Sequence, residues 1–382
     1  LGTPFVFRLP REIFFGSGQG NDTGNLVKDI GGKALIVTGR KAVREHGILN
    51  QITTSLDRAG VLYSIFDEVE PEPSLTTVDR AIDCGFSAKC DMVLSIGGGS
   101  ALDCGKAVAC LLGKERSIRP YFYGARLVQP GVPWVALPTT AGTGSEMTSN
   151  SVLTDYELNF KKSVRSPFLV ARMVIIDPLF TLSMNPYVTA VSGIDALVQG
   201  IEAFTSPHSN PVSGVLALEA VELLWRYLPE VVRNGKDVQS REFVAKGSMM
   251  SAMAFANSSS GAAHGFSHLI GPEFSIPHGE ACGLLLPHII RYNHEVFFAK
   301  YLQLVQRLGL EENNGHYPAE LLASAFEDLL RRVGLRMKLR DFQVQKNQLE
   351  TVLREDNIGK NITENPRPFR REDMIELLKS AW

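Results

Sequence analysis

The sequence predicts an α/β fold in two parts, a doubly wound parallel sheet followed by an all-helical domain, and three observations point there. The chain has 382 residues, more than the roughly 250–300 that one hydrophobic core usually holds, so two domains are expected. Strand and helix signals alternate through the first half, as parallel βαβ units require. Past Asp177 and Pro178 the strand signals stop and helical periodicity takes over. The boundary is therefore set at 178, giving domains of residues 1–178 and 179–382.

Lys33–Thr38 (KALIVT) opens the series, its unbroken apolar run suiting a strand buried on both faces. Ile48–Ala59 follows as a helix, Ser64–Glu70 as a strand, Ser74–Cys90 as a helix, and Asp91–Ile96 (DMVLSI) as a strand running straight into glycines. Val132–Leu137 and Met173–Ile176 close the sheet. In the second half, helices are expected over Val188–Thr205, Val212–Tyr227, Arg241–Asn257, Ala319–Val333 and Arg371–Ser380. Val212, Leu216, Ala220, Leu223 and Leu224 recur at three- and four-residue steps, the apolar stripe of a helix that faces a core. Asp341–Asn365 is assigned no element.

Composition narrows the function. Hydrophobic residues make up 44% and charged residues 21%, an ordinary globular mix able to bury a sizeable core. Lys and Arg total 39 against 41 Asp and Glu, a net charge of −2, too balanced for the phosphate-neutralising term of nucleic-acid binding. No stretch reaches the ~18 apolar residues of a membrane span, and the run Ala281–Ile290 is broken by Gly283, Pro287 and His288. The five cysteines (Cys84, Cys90, Cys104, Cys110 and Cys282) are odd in number and include no CxxC pair, which suits a reducing compartment. Nothing at the N-terminus reads as a signal peptide. A cytoplasmic protein with neither nucleic acid nor membrane as partner is expected.

Gly97, Gly98, Gly99 and Ser100 leave an apolar strand and open a helix whose first turns carry Asp103 and Lys106. Glycines let a backbone approach a pyrophosphate closely, and the amides of a helix start carry partial positive charge toward it. The plain alternative is a tight strand-to-helix turn with no ligand, and the spacing is not the GxGxxG of a standard Rossmann turn. Leu137–Ser145 (LPTTAGTGS) leaves another strand, and Thr139, Thr140 and Ser145 could bond phosphate, ribose or amide groups, or simply cap a helix. Two such loops at strand ends point to a dinucleotide, since ligands of open α/β sheets bind outside the carboxyl ends of strands. In the helical half, Asp195 and Gln199 are spaced i, i+4 and share a helix face, as do His264 and His268. His278 follows in PHG, a turn-like setting. A carboxylate with two imidazoles suits Zn2+ or Fe2+, with a position open for substrate, although any one histidine alone reads better as a hydrogen-bonded structural residue.

In order along the chain, GGGSALDCGKA, LPTTAGTGSEMTSNSVLTD, DPLFT, SGIDALVQGIEAF, HGFSHLIG and PHGEACGLLLPH resemble the iron-containing (group III) alcohol dehydrogenases. The likeness runs from REIFFGSG near the start to NPRPF at Asn365–Phe369. It implies a dehydroquinate synthase-like architecture, with a Rossmann-like dinucleotide-binding domain, a helical metal and substrate domain, and a metal in the cleft between them. The implied chemistry is hydride exchange between NADP or NAD and a small alcohol or aldehyde, with Fe2+ or Zn2+ as Lewis acid. The resemblance puts Gly97, Gly98, Gly99 and Ser100 on the pyrophosphate. It puts Thr139, Thr140, Ser145, Asn150, Lys162 and Leu182 around the rest of the cofactor; Asp103 is counted with them. The implied metal ligands are Asp195, Gln199, His264 and His278, Gln199 standing where the family pattern has histidine. His268, near these but not among the usual ligands, is assigned proton exchange with, or a hydrogen bond to, the substrate.

Phe255, Phe266 and Phe274 are candidates for the substrate pocket. NADP is expected over NAD, because family members that use NAD often carry an Asp at the end of the strand where Gly39 stands here. Arg40 and Lys41 follow it, so the charge that repels a 2'-phosphate is replaced by two cations. Gln199 keeps alternatives open: a glycerol dehydrogenase-like enzyme with three protein ligands, a metal-free reductase of the maleylacetate reductase type, and an inactive nucleotide-binding sensor. The family's dimers and larger assemblies suggest a homo-oligomer, and no sequence feature selects one.

Overall fold

The computed structural model describes residues 4–158, 160–310, 317–354 and 358–382. The chain divides into two compact units, Arg8–Ser183 and Met184–Trp382, with residues 4–7 grouped with the second. The division follows the 3-10 turn Pro178–Ser183, a few residues beyond the expected boundary at 178, because that turn continues directly from the last strand of the sheet.

In the first unit, β1 (Glu12–Phe15), β2 (Lys33–Gly39), β3 (Leu62–Val69), β4 (Met92–Gly97), β5 (Trp134–Pro138) and β8 (Met173–Ile176) form a parallel sheet in the order β1-β8-β5-β4-β2-β3. From β2 the chain moves outward to β3 and then crosses to β4 on the other side of β2, so the strand order reverses between β2 and β4. Alternate residues of the strands pack on the two faces. Ala34, Ile36, Leu94, Ile96, Val135 and Ile175 meet Ile48, Ile52 and Leu56 of the helix Ile48–Ala59 in one fully buried core. Leu35 and Ser95 point the other way, toward the helices Leu75–Ser87 and Gly99–Leu111. Contact there is so close that a Cβ on Gly105 would lie 1.7 Å from Ser95 Oγ. The sheet is thus covered on both faces, as its continuous apolar strands require. Asp177, wholly buried at the end of β8, accepts the amides of Gly18 and Gly20 and so ties down the turn after β1.

Several elements escaped the sequence reading, among them three strands and the helix Phe298–Arg307. β1 is four residues of intermediate burial with no alternation to read. β6 (Asn150–Asp155) and β7 (Phe160–Arg165) form a separate antiparallel hairpin whose second strand, FKKSVR, is mostly polar and only half covered.

The second unit is all-helical among the described residues, with helices at Pro186–Thr205, Pro211–Arg233, Val238–Ala256, Ala262–Phe274, His278–Tyr292, Phe298–Arg307, Pro318–Arg332 and Arg371–Ser380. Asn185 and Asn210 cap the first two through side-chain bonds to Val188 N and Ser213 N, each followed by proline at the first helical position, where a missing N–H costs nothing. Pro229 does not stop the second helix, which runs six residues past the expected Tyr227. The setting expected to be turn-like at His278 is a helix start, with Pro277 as its N-cap residue. The broken apolar run after it is a buried helix. Asp341–Asn365 holds only short turns and the helix Lys360–Thr363 among its described residues. No helix among the described residues is long and apolar enough to cross a membrane.

A buried charged cluster underpins the segment after β5. The Lys106 ammonium, 1% exposed, donates to Ser145 O at 2.6 Å, Asn150 O at 2.8 Å and Thr148 Oγ1 at 3.1 Å. It lies 3.5 Å from Asp103. Glu146 is buried with it, and burial pushes the Glu146 carboxyl up to about 7 against the pull of Lys106. The folded state therefore binds this proton more tightly than the unfolded chain, where glutamate titrates near about 4.3. The stability linked to it is fully present below about pH 4.3 and is lost as pH rises through about 7, amounting to at most about 4 kcal/mol. Urea unfolding of wild type and Glu146→Gln at pH 5 and pH 8 checks this: the variant is expected to lose less stability between the two pH values. An unchanged pH slope would mean that Glu146 is ionised throughout.

Candidate functional site

The helix Pro186–Thr205 has no solvent face along its last turns, since every residue from Gly193 to Thr205 is buried. Asp195, Gln199 and Glu202 therefore place three polar side chains inside a core, at i, i+4 and i+7 on one face. The helix Ala262–Phe274 brings His264 to this face, and His278–Tyr292 brings His278 and, one turn later, Cys282. Gly279 makes that approach possible: a Cβ there would stand 2.1 Å from Val191 O and 3.1 Å from Asp195 Cβ. One donor atom from each of Asp195, His264, His278 and Cys282 lies within 4.8 Å of all the others. His264 Nε2 is 3.5 Å and His278 Nε2 3.7 Å from Asp195 Oδ1.

Hydrogen bonds orient these donors. Glu202 accepts the amides of Gly261 and Ala263 at the start of the helix Ala262–Phe274 and meets His264 Nδ1 at 2.5 Å. That contact places the His264 proton on Nδ1 and turns the Nε2 lone pair toward Asp195. Ser267 Oγ donates to His264 O and lies 3.3 Å from His278 Nδ1, an arrangement in which His278 also keeps its proton on Nδ1. The Gln199 amide donates to the Asp195 carboxylate. Asp195 Oδ1 and His264 Nε2, both buried, have no hydrogen-bond partner among the described residues, the condition of atoms waiting for a ligand.

The charges are coupled. Burial pushes the Asp195 carboxyl up, but His278, His264 and the Gln199 amide outweigh it and hold it below the usual range. Burial pushes both imidazoles down, while Cys282 with Glu202 for His264, and Cys282 with Asp195 for His278, carry them above their ordinary value. Burial raises the Cys282 thiol, yet the two imidazoles bring it down to about 7. Such a set of one carboxylate, two imidazoles and a thiol fits a divalent cation. His268 is exposed and stacks on His278, with ring centroids 5.2 Å apart, so it sits beside the donors without joining them.

The expected cofactor residues gather at the carboxyl ends of the strands in the first unit. β4 and β5 end side by side, with Gly97 opposite Pro138 and Thr139 N bonded to Gly97 O. Gly97 has φ +151°, and Cβ atoms on Gly98 and Gly99 would press to 3.3 Å from Thr140 Cγ2 and 3.0 Å from Thr143. The two loops thus touch, and the amides that open the helix Gly99–Leu111 lie at their junction. Ser100 Oγ accepts the amide of Glu72. Ser145 Oγ donates to Asp103 at 2.6 Å, so these two brace one another, and Asn150 lends its carbonyl to Lys106. Lys162 is exposed on β7, and Leu182 lies half-buried in the turn Pro178–Ser183. Gly39 ends β2 beside the strand-order reversal, with Arg40 exposed and its Nε directed to Glu68 O at 3.4 Å.

Sequence reasoning missed Glu202 and Cys282. Glu202 was signalled by its i+7 step from Asp195, and Cys282 by its i+4 step from His278. Reading PHG as a turn hid the second. Of the suggested pocket phenylalanines, Phe266 is fully buried against Phe369 and cannot line an open pocket. Phe255 does lie near the donors, its ring centroid 5.9 Å from that of His264.

Comparison with known proteins supports the fold and shows the family. The pattern described as "Iron-containing alcohol dehydrogenase" matches residues 10–178, and "Fe-containing alcohol dehydrogenase family, C-terminal" matches residues 189–382. The chain is 33% identical over 384 residues to 1,3-propanediol dehydrogenase of Citrobacter freundii, covering 99% of each. Among solved structures, a 1,3-propanediol oxidoreductase superposes with a TM-score of 0.94 at 32% identity, covering 100% of both chains. Sulfoacetaldehyde reductase from Bifidobacterium kashiwanohense, solved in complex with NAD+, superposes with a TM-score of 0.92 at 29% identity, covering 100% of this chain and 99% of that one. With its strand-end glycine loops and buried carboxylate–imidazole cluster, the chain belongs to the iron-containing alcohol dehydrogenase family.

Proposed function

We propose that the chain transfers a hydride reversibly between NAD(P) and a small alcohol or aldehyde, assisted by a divalent metal held by Asp195, His264 and His278. The carrying observation is the pair of buried, unpartnered donor atoms, Asp195 Oδ1 and His264 Nε2, turned toward each other at 3.5 Å. When bound, the metal supplies Lewis acidity toward an alcohol or carbonyl oxygen, and the nicotinamide supplies or takes up the hydride. The names of the relatives, propanediol and sulfoacetaldehyde enzymes, support a small polar substrate. Gln199 acts on Asp195 as a hydrogen-bond donor that fixes the carboxylate. His268, exposed and stacked on His278, exchanges the substrate oxygen's proton with solvent, a task imidazole suits near neutral pH. Gly97, Gly98, Gly99 and Ser100 present helix-start amides to the pyrophosphate, and Thr139 and Thr140 flank it. Asp103 and Ser145 hold that loop in shape, with Asn150, Lys162 and Leu182 around the rest of the cofactor.

The finer cofactor preference is for NADP. Gly39 ends β2 with no carboxylate at the strand-order reversal, and Arg40 and Lys41 follow it, both exposed. Catalytic efficiency with NADP is expected to exceed that with NAD, read from nicotinamide absorbance. A tenfold preference for NAD would reverse the assignment, about 1.4 kcal/mol in the wrong direction.

Prolonged treatment with EDTA should abolish turnover, and Zn2+ or Fe2+ should restore it. Gln199→His should raise the metal retained after dialysis, measured by elemental analysis. Full activity in protein without stoichiometric metal would favour the metal-free alternative and reassign Asp195, His264 and His278 as polar substrate contacts.

His268→Ala is expected to lower kcat by about 100-fold or more and to change the pH profile, the usual range for losing a general acid–base. Its metal content should stay near that of wild type, whereas His264→Ala and His278→Ala should lose metal. A His268→Ala protein emptied of metal would show that the ligand set is drawn wrongly.

A further inference from the structure

We propose that Cys282 is the fourth protein ligand of the metal site, bound as thiolate, so that the ion is held by one carboxylate oxygen, two imidazole nitrogens and one sulfur, a donor set that selects Zn2+. This rests on the metal-dependent reading above and deepens it.

Three of the six separations among the four donor atoms are close to those of a tetrahedral site, and all six lie within 4.8 Å. Cys282 is fully buried and lies one helical turn after His278, its Sγ 3.7 Å from His278 Nε2. That nitrogen is 3.7 Å from Asp195 Oδ1, which is 3.5 Å from His264 Nε2. Metal bonds of about 2.0–2.2 Å to nitrogen and oxygen and about 2.3 Å to sulfur, at tetrahedral angles, place neighbouring donors about 3.3–3.6 Å apart. The separations quoted are thus within a few tenths of an ångström of closing on one ion. The glycines flanking Cys282 serve the same contact. Gly279 lies against Val191 and Asp195, and Gly283 against Ile194, where a Cβ would come within 2.7 Å of Ile194 Cγ2.

Independently of the cysteine, the unpartnered Asp195 Oδ1 and His264 Nε2 aim into the same space. Gln199 is a poorer candidate for the remaining position, being neutral and a weaker donor than a thiolate. Charge favours sulfur as well. A carboxylate and a thiolate together match the two charges of a divalent ion within the donor set, the thiol proton leaving to solvent, and a thiolate attracts the ion more strongly than a neutral amide oxygen does. Thiolate with imidazole in four-coordinate geometry is a zinc environment rather than one for harder ions. Catalytic zinc sites can expand to take a further donor during reaction, so four protein ligands do not shut out substrate.

The test uses the full-length protein stripped of metal and reloaded with Co2+ or Zn2+. The Co2+ form is expected to show a strong near-ultraviolet sulfur-to-metal charge-transfer band, and X-ray absorption of the Zn2+ form should resolve one sulfur at about 2.3 Å. Cys282→Ser should remove the band. It should also weaken Zn2+ binding, in competition with a chromophoric chelator, by at least about 100-fold, the upper end of what losing a residue that only orients a ligand costs. Gln199→Ala should keep the band. Wild-type protein that binds metal through nitrogen and oxygen alone, or a band that survives in Cys282→Ser, overturns the proposal and leaves the three-ligand reading standing. Wild-type protein that retains neither ion overturns both. The spectra of the unmodified protein decide the matter even where Cys282→Ser fails to fold.

Discussion

The helical unit depends on a backbone approach that only glycine allows. With a Cβ at Gly279 standing 2.1 Å from Val191 O, any other residue would force the helix His278–Tyr292 away from Pro186–Thr205. Gly193 faces Leu228 on another neighbour, where a Cβ would fall 2.2 Å from Leu228 Cδ1 and the leucine side chain would have to turn aside. Helices held this close place short side chains in one another's reach, so an aspartate, a cysteine and two histidines from three helices can converge. A shift of one ångström would spread the donors beyond the span of a single ion. The glycine of PHG is therefore a packing requirement, and the site is its consequence.

The first unit solves a different problem by a related device. Its strand-end loops are irregular backbone, whose carbonyls need partners. Lys106 answers by reaching up from the interior of the helix Gly99–Leu111 to gather the carbonyls of Ser145 and Asn150, with Asp103 3.5 Å away to offset its charge. An ammonium is apt here because its three donors on a flexible stem satisfy several carbonyls at once. The loop is held from below, leaving its upper side and the neighbouring helix-start amides to whatever binds there.

Much of this was legible in the sequence, for identifiable reasons. β2, β4, β5 and β8 are apolar runs buried on both faces, and the helices Ile48–Ala59 and Arg371–Ser380 matched residue for residue, since periodicity and flanking turn residues agree there. The i, i+4 pairs Asp195/Gln199 and His264/His268 were readable because a helix fixes which residues share a face. What stayed hidden depends on tertiary contact. A proline at helix position N-cap looks like a turn, so the His278/Cys282 pair escaped. The role of Lys106 was hidden because, with Asp103, it reads as part of the opening turns of a phosphate-binding helix, and its carbonyl partners lie about 40 residues on. The hairpin of β6 and β7 buries Leu153 and Val164, but its second strand is mostly polar and leaves no apolar pattern to read.

The polar face of the helix Pro186–Thr205 argues against reading the site as a relic. Leaving a buried polar atom unpaired costs about 1–3 kcal/mol, a large share of the ~5–15 kcal/mol that keeps a domain folded. Glu202 is fully accounted for by two amides and an imidazole. A purely structural network would end there, with every buried atom satisfied. Instead Asp195 Oδ1 and His264 Nε2 remain exposed to one another inside the core, oriented by partners that leave those two atoms unsatisfied. Drift after loss of function removes such strained arrangements readily, since alanine or leucine at 195 would relieve the cost at a stroke. Their presence, held in place by Glu202, Gln199 and Gly279, is the arrangement expected where a bound cation offsets the penalty.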